Sequence, residues 1–220
     1  MIKAGITGGI GSGKSVVSTI LAMSGIPVYP ADDESKRLTD TSPFIKEGLM
    51  SLIDEAVYVE EKLDRQRLAS IIFNDGALLK KVNEIIHPVV RSDFMEWAGK
   101  QTSNCCAMES AILFESGFDK GVDIVLMVYA PVELRLTRVM RRDGVPEAEV
   151  MKRMNRQMPD ELKREQADVV IVNDGLQPLI PQIERFIQSL PLLNSPFEEG
   201  AGGCTVMCAR ITNRASRDIQ

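Results

Sequence analysis

The stretch GITGGIGSGKSVV, residues 5–17, holds five glycines, one lysine and two serines between apolar flanks. Within it, residues 8–15 match the pattern GxxxxGK[ST]. Residues without a Cβ let successive backbone N–H groups point at phosphate oxygens, and the positive end of a following helix adds to that anion site. The dinucleotide pattern GxGxxG does not fit, because Lys14 stands where its last glycine belongs. The sequence therefore predicts a loop that binds the phosphates of a nucleoside triphosphate.

This loop lies between a predicted strand and a predicted helix, in a chain where the two patterns alternate. Short apolar runs predict strands at 1–7, 26–29, 105–108, 122–129 and 168–172. Helical spacing predicts helices at 14–23, 131–142 and 178–190, several between 32 and 99, and one that begins near Pro146 and ends at Pro159. The alternation predicts an α/β fold whose mostly parallel sheet carries helices on both faces.

Composition excludes several classes of protein. The chain has 220 residues, 44% of them hydrophobic, which is enough for a core domain with a smaller insertion. The net charge of −5 predicts no broad surface for nucleic acid or anionic membranes. The longest apolar run, 124–131, is too short to span a bilayer, and the first residues lack the pattern of a secretory leader. The four cysteines have no metal-binding spacing, which predicts reduced thiols in a cytoplasmic protein.

A phosphate-binding loop alone does not separate GTPases, motor ATPases and small-molecule kinases. The guanine-reading pattern NKxD and the switch pattern DxxG are absent from the sequence, which disfavours a GTPase. A kinase needs a base for the acceptor hydroxyl, cations for the moving phosphoryl group and a lid that excludes water. Asp32, after the strand at 26–29, is the candidate base and a candidate Mg²⁺ ligand through water. A helix N-cap is the alternative role for Asp32 or its neighbour Asp33.

Candidate cations follow the strand at 122–129. Arg135, Arg138 and Arg142 are spaced three and four residues apart, so they share one face of the predicted helix. That face is either solvated, with Glu133 as an ion-pair partner, or it contacts the triphosphate, since arginine forks suit phosphate oxygens. A lid is predicted next, in a polar segment bounded by glycine and prolines. Its cations are Arg153, Arg156 and Lys163.

Eight short segments, in order, resemble the dephospho-CoA kinases. They are TGGIGSGKS (7–15), ADD (31–33), LDRQRLASIIF (63–73), HP (87–88), ILFESG (112–117), RLTRVMRRDG (135–144), RQMP (156–159) and ADVVIVNDG (167–175). Each is weak alone, but the ordered set is specific and covers about residues 1–190. The resemblance implies a P-loop NTPase three-layer fold. It also implies transfer of the γ-phosphoryl group of ATP, with Mg²⁺, to the ribose 3′-hydroxyl of dephospho-CoA, which ends coenzyme A biosynthesis.

The resemblance also implies roles for individual residues. Asp32, Lys14 and Arg142 would be catalytic, with Asp32 as base and Arg142 as a phosphate contact at the lid hinge. Ser15 and Asp32 would bind the metal. The ATP loop would consist of Gly11, Ser12, Gly13, Lys14, Ser15 and Val16. The residues with a proposed acceptor contact are Arg65, His87, Glu115 and Arg138.

Three of these acceptor candidates have alternative roles. Arg65 could instead pair with Asp64 or another nearby carboxylate. His87, which precedes a proline at the predicted end of an apolar helix, has a structural contact as its commoner role. Glu115 has an ion pair with an arginine, or Mg²⁺ binding, as alternatives.

The predicted domains follow from these assignments. A nucleotide-binding core comprises 1–31, 100–142 and 166–190, and a helical acceptor domain comprises 32–99. The lid comprises 143–165, and 191–220 is predicted to be a flexible tail. The chain departs from the family pattern at Pro30, Val16 and Ala111, and none of these changes removes a group that the mechanism needs.

Two other functions remain open from the sequence. Another P-loop small-molecule kinase, such as a nucleoside monophosphate kinase, would differ in its acceptor domain. A nucleotide-dependent regulatory switch would hydrolyse nucleotide slowly and would not bind dephospho-CoA. The predicted partner is dephospho-CoA, with no nucleic acid, no membrane and no obligate protein partner.

Overall fold

The computed structural model describes residues 1–73 and 75–190. In this part of the chain the strands are β1 (Ile2–Thr7), β2 (Val28–Pro30), β3 (Tyr58–Val59), β4 (Lys62–Leu63), β5 (Cys105–Glu109), β6 (Ile124–Tyr129) and β7 (Val169–Val172). The α-helices there are α1 (Lys14–Met23), α2 (Ala31–Thr41), α3 (Pro43–Leu52), α4 (Arg65–Ile72), α5 (Gly76–Gly99), α6 (Val132–Asp143), α7 (Glu147–Met154), α8 (Asp160–Gln166) and α9 (Leu179–Ser189).

The chain divides into two compact units. One consists of Met1–Tyr29 and the chain from Gln101 onward, and the other is Pro30–Lys100. The second unit contains the whole segment 32–99 that the sequence assigns to acceptor binding, an assignment that stays a prediction. The predicted tail, 191–220, lies outside the described residues. None of the described helices has the length and apolar character needed to cross a bilayer.

The first unit is built on a five-stranded sheet in the order β2-β5-β1-β6-β7. β1 runs parallel to both β5 and β6, and β6 runs parallel to β7. The first five residues of β6 are buried, as expected for a central strand covered on both faces. The predicted α/β fold with a mostly parallel sheet is therefore confirmed. One part of the core packs strand residues against α1 and α9, through Ile6, Val17, Leu21, Leu126, Ile171, Ile183 and Phe186.

The segment after α6 differs from its prediction. Gly144 ends α6 in the left-handed conformation with φ 66°, as the Asp-Gly pair predicts. The helix predicted between Pro146 and Pro159 is present as α7, but it ends at Met154, before Pro159 is reached. Pro159 instead precedes a further helix, α8, which was not predicted and begins at Asp160. Both prolines are N-caps, because a residue that lacks an N–H is tolerated at the start of a helix and not within it.

The second unit is mainly helical, and its longest element contradicts one prediction. The 24-residue α5 continues through Pro88, so His87 lies in the middle of a helix and not at its end. Pro88 removes one helical hydrogen bond. Burial along one face compensates for that loss, because the buried residues recur every fourth position. They are Val82, Ile86, Val90, Phe94 and Ala98.

A small hairpin in the second unit was not predicted. β3 and β4 pair antiparallel, with Tyr58 opposite Leu63. Between them Glu60 and Glu61 have positive φ angles of 46° and 65°. Two such residues form the tight turn that usually contains Asn-Gly or Asp-Gly. Two glutamates carry no turn signal, so the sequence does not predict this hairpin.

Candidate active site

The glycine-rich stretch forms a loop between β1 and α1. Gly13 has φ 92°, and a Cβ on it would lie 2.2 Å from Nδ2 of Asn173. Both the backbone conformation and the space therefore require glycine at this position. The Asn173 amide donates to the carbonyl of Ser12 at 2.8 Å, so the loop is tied to the residue that follows β7.

The polar groups of this loop suit a phosphate. Lys14 Nζ donates to the carbonyl of Gly8 at 3.0 Å, and the carbonyl of Gly9 lies 3.5 Å away. Ser12 Oγ is buried and has no hydrogen-bond partner among the described residues. α1 begins at Lys14, so its first N–H groups face the same loop. A lysine, helix N–H groups and an orphaned hydroxyl together provide donors for an anion.

Arg135 packs directly on the loop. A Cβ on Gly9 would lie 1.6 Å from Nη1 of Arg135, so the guanidinium occupies the space that any larger side chain needs. Its Nη2 pairs with Oδ2 of Asp160 at 2.8 Å, and the two side chains are only 7% and 8% exposed. Burial raises the pKa of Asp160, and the charges of Arg135 and Lys163 oppose that rise. The interpretation of Arg135 as part of a solvated face paired with Glu133 is wrong.

Arg138, on the next turn of α6, contacts the carboxyl end of the sheet. Its guanidinium donates to the carbonyl of Asn173 at 3.2 Å and lies 3.4 Å from the Asn173 side-chain oxygen. Asn173 N donates to the carbonyl of Tyr129 at 2.8 Å. Asn173 therefore joins the loop, α6 and the end of β6. The assignment of Arg138 to acceptor binding stays a prediction.

Arg142 and its neighbours form an exposed ion-pair network at the end of α6. Arg142 Nε lies 2.7 Å from Asp143 Oδ1, and Arg153 Nη1 lies 2.9 Å from Asp143 Oδ2. The pKa of Asp143 is lowered, first by the hydrogen bond from Arg142. Both arginines are held by one carboxylate, and the phosphate contact assigned to Arg142 stays a prediction.

Lys163 differs from its prediction as a lid cation, because its side chain is fully buried. Its Nζ donates to the carbonyl of Ala111 at 2.7 Å and lies 3.0 Å from Oε1 of Glu115. The same carboxylate oxygen accepts from Met158 N at 2.8 Å. Glu115 is thus paired with a lysine and not with an arginine. Its contact with Mg²⁺ or acceptor stays a prediction.

Asp32 lies in the first turn of α2 and is exposed. The N-cap of α2 is Pro30, and no side chain caps this end of the helix. The N-cap role considered for Asp32 or Asp33 is therefore wrong. Asp33 instead accepts from Lys36 at 2.7 Å.

Arg65 fastens α2 to α4. Its Nη2 donates to the carbonyl of Lys36 at 2.8 Å, to Thr39 Oγ1 at 3.2 Å and to Asp40 Oδ2 at 2.9 Å. The partner of Arg65 is therefore Asp40 and not Asp64. Asp64 caps α4 by accepting from Arg67 N at 2.9 Å.

His87 is half-buried in α5. Burial, and then the charge of Arg91, lower its pKa below the usual value. The ordinary pKa of histidine is about 6.5, so a lowered pKa keeps the imidazole mainly neutral at pH 7. Its contact with the acceptor stays a prediction.

The comparisons with known proteins agree on one family. Residues 2–178 match the family model described as dephospho-CoA kinase. The chain belongs to the dephospho-CoA kinase family. It is 49% identical to the dephospho-CoA kinase of Bacteroides fragilis over 190 residues, which are 86% of this chain and 93% of the relative.

Solved structures support membership of the dephospho-CoA kinase family. A crystal structure of the Thermus thermophilus protein TT1252 has a TM-score of 0.75 and 36% identity, and the match covers 89% of this chain and 98% of that one. The dephospho-CoA kinase from Campylobacter jejuni has a TM-score of 0.62 and 26% identity, with 88% and 98% covered. The resemblance found in the sequence is confirmed.

Several residues of this dephospho-CoA kinase family member lie at the loop but were not predicted to do so from the sequence. Asn173 could have been noticed, because it directly follows a predicted strand at the edge where ligands bind in parallel sheets. No sequence feature places Gln157 or Asp160 at the loop, since both lie in the polar segment that is predicted to be a lid. The missed residues that touch the loop or fix its neighbours are Gln157, Asp160 and Asn173.

The donor set also fits a magnesium ion. Mg²⁺ takes oxygen ligands and in kinases is held by one or two protein groups together with substrate phosphates. The Ser15 hydroxyl, exposed in the first turn of α1, is such a group. The metal contact assigned to Asp32 stays a prediction. Among the described residues no group of three or more His, Cys, Asp or Glu could hold a metal, so a cage made by the protein alone is absent there.

The Arg65–Asp40 contact predicts a pH-dependent stability. Burial tends to raise the pKa of Asp40, but hydrogen bonds from Arg65 and from Leu63 N outweigh it and lower that pKa. A carboxyl whose pKa is lower in the folded state stabilises the fold above its unfolded pKa of about 3.9, and this stability is lost as the pH falls through the folded value. Asp40→Asn is expected to cost about 1 kcal/mol at pH 7, a modest amount because both side chains are partly exposed.

Urea unfolding of the wild type and of Asp40→Asn at pH 7, 5 and 3 measures this effect. We expect the difference between the two proteins to shrink towards pH 3. Asp33→Asn, in the same helix and paired with the exposed Lys36, serves as the control with little change at any pH. A difference for Asp40→Asn that is constant with pH would contradict the assigned ion pair.

Proposed function

We propose that this protein transfers the γ-phosphoryl group of ATP to the ribose 3′-hydroxyl of dephospho-CoA, forming coenzyme A and ADP. The observation that carries this proposal is the phosphate-binding loop, with Lys14 Nζ at its first carbonyls, in a chain that matches the dephospho-CoA kinase family over residues 2–178. The family supports ATP as co-substrate and dephospho-CoA as acceptor.

Positioning and charge neutralisation account for most of the catalysis in such a transfer. The N–H groups at the start of α1 would hold the β-phosphate, and Lys14 would move from the Gly8 carbonyl to the β- and γ-phosphates. Arg142 would leave Asp143 to contact the moving phosphoryl group. Mg²⁺, held by Ser15 and through water by Asp32, would supply positive charge at the β- and γ-oxygens.

Asp32 is the proposed base. Its carboxylate would accept the proton of the 3′-hydroxyl as that oxygen bonds to the γ-phosphorus, and the bond from the γ-phosphorus to the leaving ADP oxygen would break. Two observations support this role. Asp32 is an exposed carboxylate, and it lies in the first turn of a helix that directly follows β2.

The unit Pro30–Lys100 is the proposed acceptor domain, and the segment 143–165 is the proposed lid. In the acceptor domain Arg65 has three partners inside α2, which favours a role in holding that helix over direct contact with the acceptor. We propose the cytoplasm as the site of action. Dephospho-CoA is the proposed partner, without nucleic acid, membrane or obligate protein partner, and the net charge of −5 agrees with this.

An acceptor panel tests the proposal. ADP release is measured with ATP and Mg²⁺ alone and with dephospho-CoA, AMP or shikimate added. We expect turnover above the acceptor-free rate with dephospho-CoA only. Turnover with AMP would favour a nucleoside monophosphate kinase, and slow release that no acceptor stimulates would favour a regulatory switch.

A further inference from the structure

A glutamine outside the predicted site contacts the phosphate loop. Ile10 N donates to Oε1 of Gln157 at 2.9 Å, across 147 positions of sequence. We propose that Gln157 reads the γ-phosphate of ATP. It releases the Ile10 N–H to a γ-phosphoryl oxygen and donates its own amide N–H to the same group. This inference rests on the proposed function, since it assigns a further residue to the same nucleotide site.

The position of Ile10 points to the third phosphate. Lys14 Nζ, the group that reaches the β- and γ-phosphates in such loops, lies at the carbonyls of Gly8 and Gly9. Ile10 is the next residue, and the guanidinium of Arg135 fills the space beside Gly9. The Ile10 N–H therefore lies at the β/γ end of the loop. The first turn of α1 forms the other end, where the phosphates nearer the nucleoside bind.

Contacts of the residues after Gln157 hold this part of the segment beside the loop in the structure, so the exchange needs only a rotation of the Gln157 side chain. Met158 N donates to Glu115 at 2.8 Å, and Asp160 forms the buried pair with Arg135 at 2.8 Å. Arg135, Gln157 and Asp160 line one cavity of about 400 Å³, which gives the carboxamide room to turn.

The chemistry of a primary amide suits this exchange. A carboxamide carries an acceptor oxygen and a donor NH₂ on one freely turning group. Without the γ-phosphate its oxygen satisfies the Ile10 N–H. With ATP bound, a phosphoryl oxygen accepts from Ile10, and rotation of the carboxamide presents its NH₂ to the same phosphoryl group. ADP has no third phosphate, so it leaves the Ile10–Gln157 bond intact.

Two substitutions separate the parts of this proposal. Gln157→Glu keeps an acceptor for Ile10 but loses the donor and places a negative charge beside the γ-phosphate. Gln157→Leu removes both functions with little change of size. Gln188→Leu, at an exposed glutamine on α9, is the matched control. The dissociation constants of ATP and ADP are measured for each full-length protein by calorimetry with Mg²⁺ and no acceptor.

We expect Gln157→Glu to raise the Kd of ATP about 10-fold or more, in the range of a charge-assisted hydrogen bond, and to change the Kd of ADP by less than about twofold. Gln157→Leu should raise the Kd of ATP less, by about threefold, and leave the Kd of ADP unchanged. Gln188→Leu should leave the Kd of both nucleotides unchanged. Equal changes for ATP and ADP, or no change for either, would overturn the proposal.

This experiment contains no dephospho-CoA, so its result is independent of the acceptor panel. One outcome is that dephospho-CoA gives no turnover in the acceptor panel while Gln157→Glu still changes the Kd of ATP and not that of ADP. In that case the γ-phosphate assignment stands and dephospho-CoA is the wrong acceptor. If the panel succeeds and the two nucleotides respond alike, Gln157 has a structural role only. Unchanged ADP affinity in the variants also shows that they are folded.

Discussion

Asp32→Asn is expected to lower the rate of phosphoryl transfer to dephospho-CoA by about 10²–10⁴-fold, the usual contribution of a positioned general base. Asparagine has nearly the same shape as aspartate but cannot take the proton of the acceptor hydroxyl. ATP should still bind, because the proposed direct phosphate contacts belong to residues 8–15, Arg142 and Gln157 and not to Asp32. The measurements are kcat from ADP release with dephospho-CoA and the Kd of ATP from calorimetry.

The chain offers a matched control at the next position. Asp33 lies in the same first turn of α2, is exposed like Asp32, and pairs with the exposed Lys36 at 2.7 Å. Exposed ion pairs contribute little, so Asp33→Asn should keep nearly full activity. A similar loss in both variants would mean that the acidic first turn matters as a whole, and Asp32 would lose its assignment as base.

The phosphate loop illustrates what the sequence could predict. The pattern at 8–15 reflects local backbone requirements, such as the positive φ angle of Gly13, so the loop can be predicted from the sequence alone. α1 begins and ends as predicted, because its flanking glycines mark both ends. Strand and helix alternation was likewise sufficient to predict the fold, since it is a periodic signal along the chain.

Long-range contacts explain what the sequence could not predict. Asp160 and Lys163 read as polar residues of a lid, yet both are buried by partners that lie far away in sequence, Arg135 and Glu115. No spacing rule connects residues 25 or 48 positions apart. Charged side chains are rare in a core unless they are paired, so the sequence predicts exposure for Asp160 and Lys163. That prediction is wrong, because the two side chains are buried with their partners.

Two features of the second unit differ from the sequence prediction for another reason. Pro88 predicts a helix end beside His87, but burial along α5 outweighs the one hydrogen bond that Pro88 removes. The turn at Glu60 and Glu61 adopts positive φ angles without glycine or asparagine. In both cases the structure departs from a local preference, that of proline for helix ends or that of glycine and asparagine for positive φ angles.

The buried pair of Arg135 and Asp160 leads to the second large effect. Asp160→Ala is expected to lower the free energy of unfolding by about 3–5 kcal/mol, because it leaves the Arg135 charge buried without a partner. Arg135 has little freedom to escape, since its side chain is 7% exposed and its guanidinium packs on Gly9. Urea unfolding at pH 7 measures this change.

An exposed ion pair in the same unit provides the comparison. Glu149 and Arg153 on α7 form a close pair with 48% and 40% of their side chains exposed. Glu149→Ala is therefore expected to cost less than about 1 kcal/mol. If Asp160→Ala costs no more than Glu149→Ala, the buried pair does not hold α8 in place.

The double variant Arg135→Leu/Asp160→Leu separates the energy of the pair from the cost of an unpaired charge. Replacing both charges by apolar groups avoids the desolvation that already raises the pKa of Asp160. We therefore expect this variant to be more stable than Asp160→Ala, although it also loses the guanidinium beside Gly9. If the double variant is stable but binds ATP weakly, the pair is retained for the phosphate loop and not for stability. If its stability is as low as that of Asp160→Ala, packing on Gly9 is the contribution that matters.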